Sequence, residues 1–366
     1  MANLTTFLLE GLAKPTGLWP KLFDWFESFV GNYGWTIVLF TLAVKLLVSP
    51  LEFYNRYSTR KNTLIQKRLG DQVQKINIKY QNNREEANRQ VSALYKREGY
   101  NMVGSCVFML INMIVTLVIF FTFFDSLRVI SSYKMINQYD QLQTVYYQTL
   151  ENTENTQESE QKTLETFLEI NENNKWLWLN NIWRKDAKVN SIPSYTDLVK
   201  AAENSKEKDL IEYINTIPEE QYNEVISSIS SQNREWNGFF ILAILTLLTT
   251  FLSQYISEKM NDAKPKNTTS NEMSNPNQAT MQVMKLILPL IMLTFVLTNT
   301  ASFGIYILVG NLFGIITNIL FSFIVKKITK KEEAKYLAYI EKQAIQRTKK
   351  NIKPRMVNYK NLGDRL

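Results

Sequence analysis

The sequence predicts an all-α polytopic membrane protein of five transmembrane helices, and three observations predict it. Apolar residues are gathered into five runs, at about 35–54, 103–124, 237–257, 283–299 and 303–325, although the whole chain is only 45% hydrophobic. Each run approaches or reaches the ~20 residues with which a helix spans a ~30 Å hydrocarbon core. The blocks between the runs are strongly polar and differ in the sign of their charge.

Taken in order, residues 1–33 form an N-terminal segment. "MANLTTFLLEGL" has no basic n-region and too short an apolar stretch for a signal peptide. In "GLWPKLFDWFESFV", Leu18, Leu22, Phe23, Phe26, Phe29 and Val30 recur at helical spacing, with Lys21, Asp24 and Glu27 interleaved. This predicts an amphipathic helix lying in the extracytoplasmic interface. It is set off from the first span, 34–54, by a turn at Gly31-Asn32-Tyr33-Gly34. Residues 55–101 read as a helical hairpin. One stripe is Leu64, Leu69, Val73, Ile76 and Tyr80, the other Ala87, Val91, Leu94 and Tyr95, and Asn82-Asn83 caps the second helix ahead of Glu85 and Glu86. The second span is 102–125, followed by an insertion over 126–236. Spans three to five are 237–257, 281–299 and 303–325, with a loop at 258–280 and a basic tail at 326–366.

Charge sets the expected orientation. The hairpin segment carries eleven Lys and Arg against four Asp and Glu, the tail thirteen against four, and the insertion eleven against eighteen. Basic residues in short loops stay cytoplasmic, while long acidic domains translocate largely regardless of charge. Five spans then put the N-terminus outside, the C-terminus in the cytoplasm and 126–236 outside the cell membrane.

Composition also excludes chemistry. Histidine is absent and Cys106 is the single cysteine, so the commonest metal ligand, the usual general base and any disulfide framework are missing. The polar blocks hold no GxGxxG, P-loop or HExxH sequence, so neither an enzyme nor a cofactor is expected, and no DNA partner.

The anomaly is Lys45, inside the first apolar run. A lysine in mid-membrane costs at least ~2.5–3.5 kcal/mol and normally faces a cavity or a partner. Asp and Glu occur only at span ends, as Glu52 and Asp125. Snorkelling would have to cover about nine residues, or ~13 Å, to Tyr54. Thr41, Lys45 and Ser49 share one helix face. Polar residues recur in the other spans as well: Asn112 and Thr116 in the second, Thr250 and Gln254 with Thr246, Thr249 and Ser253 in the third, Thr294 and Thr298 in the fourth, and Asn311, Asn318 and Ser322 in the fifth. They suit a shared hydrated cavity or hydrogen bonds that hold helices together.

Order and spacing of these segments resemble the YidC/Oxa/Alb family of membrane protein insertases. Lys45 precedes Pro50-Leu51; "EGYNMVGSCVFMLINM" matches at Gly99, Asn101, Gly104 and Cys106; and "LPLIMLTFVLTNTASFGIYILVGNLFGI" matches at Pro289, Leu290, Met292, Phe295, Ala301, Gly304, Tyr306, Asn311 and Leu312. "KWLWLNNIWRKDA" at 175–187 is similar to a tryptophan-rich stretch of some members. The chain departs at Lys45, Met102, Asn112 and Ile307, where arginine, proline, glutamine and tryptophan are usual. Its insertion is longer than in the short Gram-positive form. The resemblance implies five helices around a polar groove closed on the outside, with Lys45, Thr41, Ser49, Asn112, Thr116, Thr250, Gln254, Thr294, Thr298, Asn311 and Asn318 as lining. It implies nascent membrane proteins as substrates, with action alone or beside a Sec translocon left open. For the tail, Lys326, Lys327, Lys330, Lys331, Lys349, Lys350, Lys353 and Arg355 offer a polybasic surface for anionic lipids or for a ribosome. A small-solute transporter or channel and an assembly scaffold are the competing classes.

Overall fold

In the computed structural model the described residues are 12–100, 102–232, 235–260 and 276–351. Among them are twelve helices and no strand: α1 (Leu18–Val30), α2 (Tyr33–Lys79), α3 (Arg84–Arg97), α4 (Met102–Thr153), α5 (Thr156–Asn174), α6 (Tyr195–Ser205), α7 (Lys208–Asn215), α8 (Glu219–Gln232), α9 (Ile241–Met260), α10 (Pro276–Thr298), α11 (Ala301–Ile328) and α12 (Lys330–Asn351). The chain is all-α. Four helices, α2, α4, α9 and α11, are long and apolar enough to cross a membrane. The remaining apolar run lies in α10, whose described side chains make the shorter apolar stretch Leu286–Thr298. In the most apolar stretch of α4 only 11% of residues are buried, and Met113, Ile114, Leu117, Val118 and Phe121 are exposed on it. Surface of that kind requires lipid.

Two compact units divide the described chain, one holding residues up to 50, 113–260 and up to 319, the other 51–112 and 320 onward. In the first unit, α1 ends at Gly31, which adopts the left-handed conformation (φ 74°) and donates its N–H to Glu27 O. The turn is tighter than the sequence suggests, because Tyr33 and Gly34 already belong to α2. Phe23 is buried against Tyr33 and Trp183, while Leu18, Trp25 and Phe29 are exposed on α1. Lys134 of α4 pins α1 through Glu27 at 2.9 Å and also donates to Tyr33 at 3.1 Å.

Neither long helix breaks where composition changes. α2 passes through Pro50, and α4 runs 52 residues from the second apolar run well into the insertion. Over 127–146 α4 buries Leu127, Ile130, Tyr133, Ile136, Tyr139, Leu142 and Tyr146, so its apolar face changes partner while the helix continues. The rest of the insertion is α5 to α8 and the irregular stretch between α5 and α6, and these helices share that core through Phe167, Leu198, Leu210, Tyr222 and Val225.

The second unit contains the hairpin. Ile65, Leu69 and Leu94 form its core, with Val73, Ile76, Tyr95 and Tyr100 packed against it, and Asn83 caps α3 by accepting from Glu86 N at 3.1 Å. Arg68 pairs with Glu98 at 2.9 Å. Between the fifth apolar run and the tail, α11 stops at Ile328 and α12 starts after Thr329. α12 runs parallel to the hairpin's first helix. Arg60 bonds Thr329 at 3.1 Å and Glu333 at 3.3 Å, and one register further Asp71 accepts from Tyr339 at 3.0 Å and from Gln343.

Candidate functional site

Lys45 lies on α2 half-buried, while its neighbours Leu46 and Leu47 point outward, 61% and 79% exposed. The side chain crosses toward α11. A Cβ placed on Gly310 would stand 3.3 Å from Lys45 Cε and 3.9 Å from its Nζ. Gly310 is thus the notch that receives the lysine, a role no polar pattern reveals. No small-residue spacing signals it either, because Gly314, one turn further on, meets nothing within 4 Å. Among the described residues no carboxylate lies within ion-pair distance of Lys45.

Immediately on the insertion side of this notch the helices are sealed by aromatic packing. Phe40 of α2 stacks on Phe123 of α4 at 4.6 Å, Phe123 meets Tyr306 of α11 at 4.8 Å, and Phe124 meets Phe295 of α10 at 5.4 Å. Residues 301–309 are all buried. Lys45 and Gly310 each come about one helical turn after a member of this plug, Phe40 or Tyr306.

The other predicted lining residues divide by what their polar atoms do. Asn311 donates to Thr250 Oγ1 at 2.8 Å and to Thr249 Oγ1 at 3.3 Å, joining α11 to α9. Thr41 is fully buried and donates to Ile37 O at 2.6 Å. Ser49 donates to Leu46 O at 2.8 Å. That carbonyl is the one Pro50 would have bonded had it an N–H, so Ser49 repairs the helix at its proline. Thr294 and Thr298 are exposed and donate to Leu290 O and Thr294 O. Asn318 is buried, and Thr116 and Gln254 are half-buried. Asn112 belongs to the other unit, its Oδ1 buried without a partner. Lys45 with Gly310 and Thr250 with Asn311 are therefore the pairings formed. In the tail, Lys326, Lys327, Lys330 and Lys331 are exposed; Lys349 and Lys350 are in α12, and Lys353 and Arg355 lie outside the described residues.

A second constellation, the tryptophan-rich stretch, ties the spans together at the plug. Asp186, buried, accepts from Phe239 N at 3.0 Å and Leu242 N at 2.5 Å, which caps α9. Ile182 O and Arg184 O accept from Ser302 N at 2.9 Å and Ala301 N at 2.7 Å at the start of α11. Asn32, just before α2, donates to Lys175 O at 2.9 Å, and the ring of Trp176 covers Gly34 so closely that a Cβ there would overlap it. Trp183 is fully buried, with Nε1 donating to Asn174 at 2.7 Å. One loop therefore fixes the ends of three apolar helices. Nearby, Asp197 pairs with Arg184 at 2.8 Å and closes a capping box with Ser194. Burial opposes the charge on Asp197, but bonds from Ser194 and Arg184 outweigh it and hold the carboxyl below its ordinary value.

A family model described as 60Kd inner membrane protein matches residues 25–331. The chain belongs to the 60Kd inner membrane protein family. Its relatives include proteins called membrane protein insertase YidC, and the family resemblance read from the motifs holds. The Wolinella succinogenes protein is 31% identical over 116 residues, 32% of this chain and 20% of that relative. The one from Helicobacter pylori is 28% identical over 130 residues, 36% and 22% of the two chains, and the one from Oleidesulfovibrio alaskensis 39% over 103 residues, 28% and 18%. The matched stretches thus span about a fifth of each relative's length. In this member of the family, the apolar helices make a multi-pass membrane protein.

Proposed function

We propose that this protein inserts nascent membrane proteins into the cell membrane. It carries short extracytoplasmic parts through a hydrated, positively charged groove and releases the apolar segment into lipid. The observation that carries this reading is Lys45, a half-buried cation without a carboxylate partner among the described residues, one turn beyond an aromatic plug. Membership of a family whose relatives are named insertases supports it. A polar segment crossing hydrocarbon costs several kcal/mol for each unsatisfied group. A wet groove ending at the plug shortens that path, and the ammonium attracts acidic groups within it. The work is solvation and electrostatics, so no catalytic residue and no cofactor is needed. The membrane potential adds ~2.3 kcal/mol per charge per 100 mV.

In this reading α10 is the fifth span alongside α2, α4, α9 and α11, the insertion is extracytoplasmic, and hairpin and tail are cytoplasmic. The exposed tail lysines dock a translating ribosome or anionic lipid, and the chain acts alone or beside a Sec channel. The purified chain in liposomes, supplied with a newly made single-span substrate, tests the proposal. Protease-protected insertion above empty liposomes is expected; solute flux without insertion indicates a transporter, and neither activity a scaffold.

A further inference from the structure

Beyond the groove, the insertion side of the first unit holds a cavity of about 420 Å³ whose lining mixes cations, one carboxylate (Asp197), hydroxyls, amides and apolar side chains. Its cations are Arg128, Arg184, Lys185 and Lys200. Asp197 neutralises Arg184 at 2.8 Å, and Asp125 pairs with Arg128 through Nη2. That leaves Lys185 and Lys200 without a carboxylate among the described residues, both exposed at the rim. Arg128 also has a donor to spare, because its Nε is buried and makes no hydrogen bond. An unsatisfied buried donor on a cation is costly and asks for an acceptor. Ser131 and Thr300 add hydroxyls to the same wall, 3.4 Å apart and both within reach of Ser302 Oγ, at 3.2 and 2.6 Å, so this three-hydroxyl cluster can accept internally and still turn a hydrogen from Ser131 or Thr300 to an incoming oxygen. The cavity opens where α4 leaves its apolar run and α10 turns into α11, with Phe124 and Phe303 in its lining.

We infer that this cavity binds a phosphate group, with Arg128 Nε, Lys185 and Lys200 as its ligands and Ser131 and Thr300 as supporting donors. A phosphate offers several strong acceptor oxygens to guanidinium, ammonium and hydroxyl donors at once. The apolar lining at the level where helices leave the hydrocarbon fits a phospholipid headgroup, while free phosphate uses the same donors without the apolar part. A lipid held here would rest against the tryptophan-rich loop and the α10–α11 turn.

The test uses the full chain purified in detergent, titrated with dioctanoyl phosphatidylglycerol, dioctanoyl phosphatidylcholine and inorganic phosphate by calorimetry. Its variants are Lys185→Gln/Lys200→Gln, which changes only exposed side chains, and Arg128→Lys, which keeps a charge and removes Nε. We expect phosphatidylglycerol to bind on the order of tenfold more tightly than inorganic phosphate, and the double variant to weaken it by about tenfold. Arg128→Lys should weaken it several-fold. Equal affinities for phosphatidylglycerol and inorganic phosphate, both reduced by the variants, assign the site to free phosphate. Phosphatidylglycerol and phosphate binding unchanged in both variants, or undetectable in the wild type, overturns the inference. Insertion activity is not the readout, so the outcome stands apart from the insertase reading.

Discussion

Two adjacent polar residues on one helix face, Lys45 and Ser49, have different work, and substitution separates them. Ser49 occupies the Leu46 carbonyl freed by Pro50. Ser49→Ala should therefore cost ~1 kcal/mol of stability, read by thermal unfolding in detergent, with insertion of acidic and neutral substrates affected alike. Gly310 works on the opposite side of the pairing. Its Cβ position is 3.3 Å from Lys45 Cε, the flexible end of a side chain, so Gly310→Ala should be tolerated. The branched Gly310→Val must displace the ammonium, and should reduce insertion of an acidic substrate several-fold more than that of its neutral counterpart. A Gly310→Val protein with equal effects on both substrates would show that the notch has no part in placing the charge.

At the scale of elements, the loop at 175–187 and the α12 strut each join segments far apart in sequence. Asp186→Ala removes the carboxylate capping α9 and leaves the buried Leu242 N–H and the half-buried Phe239 N–H without their acceptor, an expected loss of ~1–2 kcal/mol in unfolding followed by tryptophan fluorescence. Asp197 gives the capping box of α6 a pH dependence. Its carboxyl is held below the unfolded value of ~3.9, so its contribution is fully present above that value and disappears as pH falls through the lower folded one. Acid loosening of α6 should thus begin only below about pH 4, and Asp197→Asn should remove that dependence. Because α12 is bonded to α2 through Arg60 and Asp71, truncating the tail would disturb the hairpin as well. Neutralising the exposed Lys327, Lys330 and Lys331 to Gln is the cleaner test of ribosome docking, with a salt slope of co-sedimentation lower by about 2–3. An unchanged slope would leave these lysines to lipid.

For the whole molecule, hydropathy made the all-α membrane class legible, because a bilayer demands long apolar runs, and the order and spacing of the motifs around Pro50, Gly104 and Pro289 made the family legible. The hairpin was legible too, since local stripes and the Asn83 cap are short-range features. The uninterrupted passage of α2 through Pro50 and of α4 into the insertion was not, because Ser49 repairs the proline and the α4 face merely changes partner. Nor was the notch at Gly310 or the clasp of Asp186, Ile182 and Arg184, whose partners lie many residues away and leave no periodic trace. Topology can be checked with Cys106→Ser carrying single cysteines: Asn82→Cys should be labelled only from the cytoplasm and Asn155→Cys only from outside, and the reverse would invert the molecule. The most direct test of the groove charge is protease-protected insertion of one substrate in acidic and neutralised forms, at matched abundance of wild type, Lys45→Arg and Lys45→Gln. The account predicts that Lys45→Arg inserts both forms and Lys45→Gln loses the acidic one selectively; equal insertion of the acidic form by Lys45→Gln and wild type would contradict it.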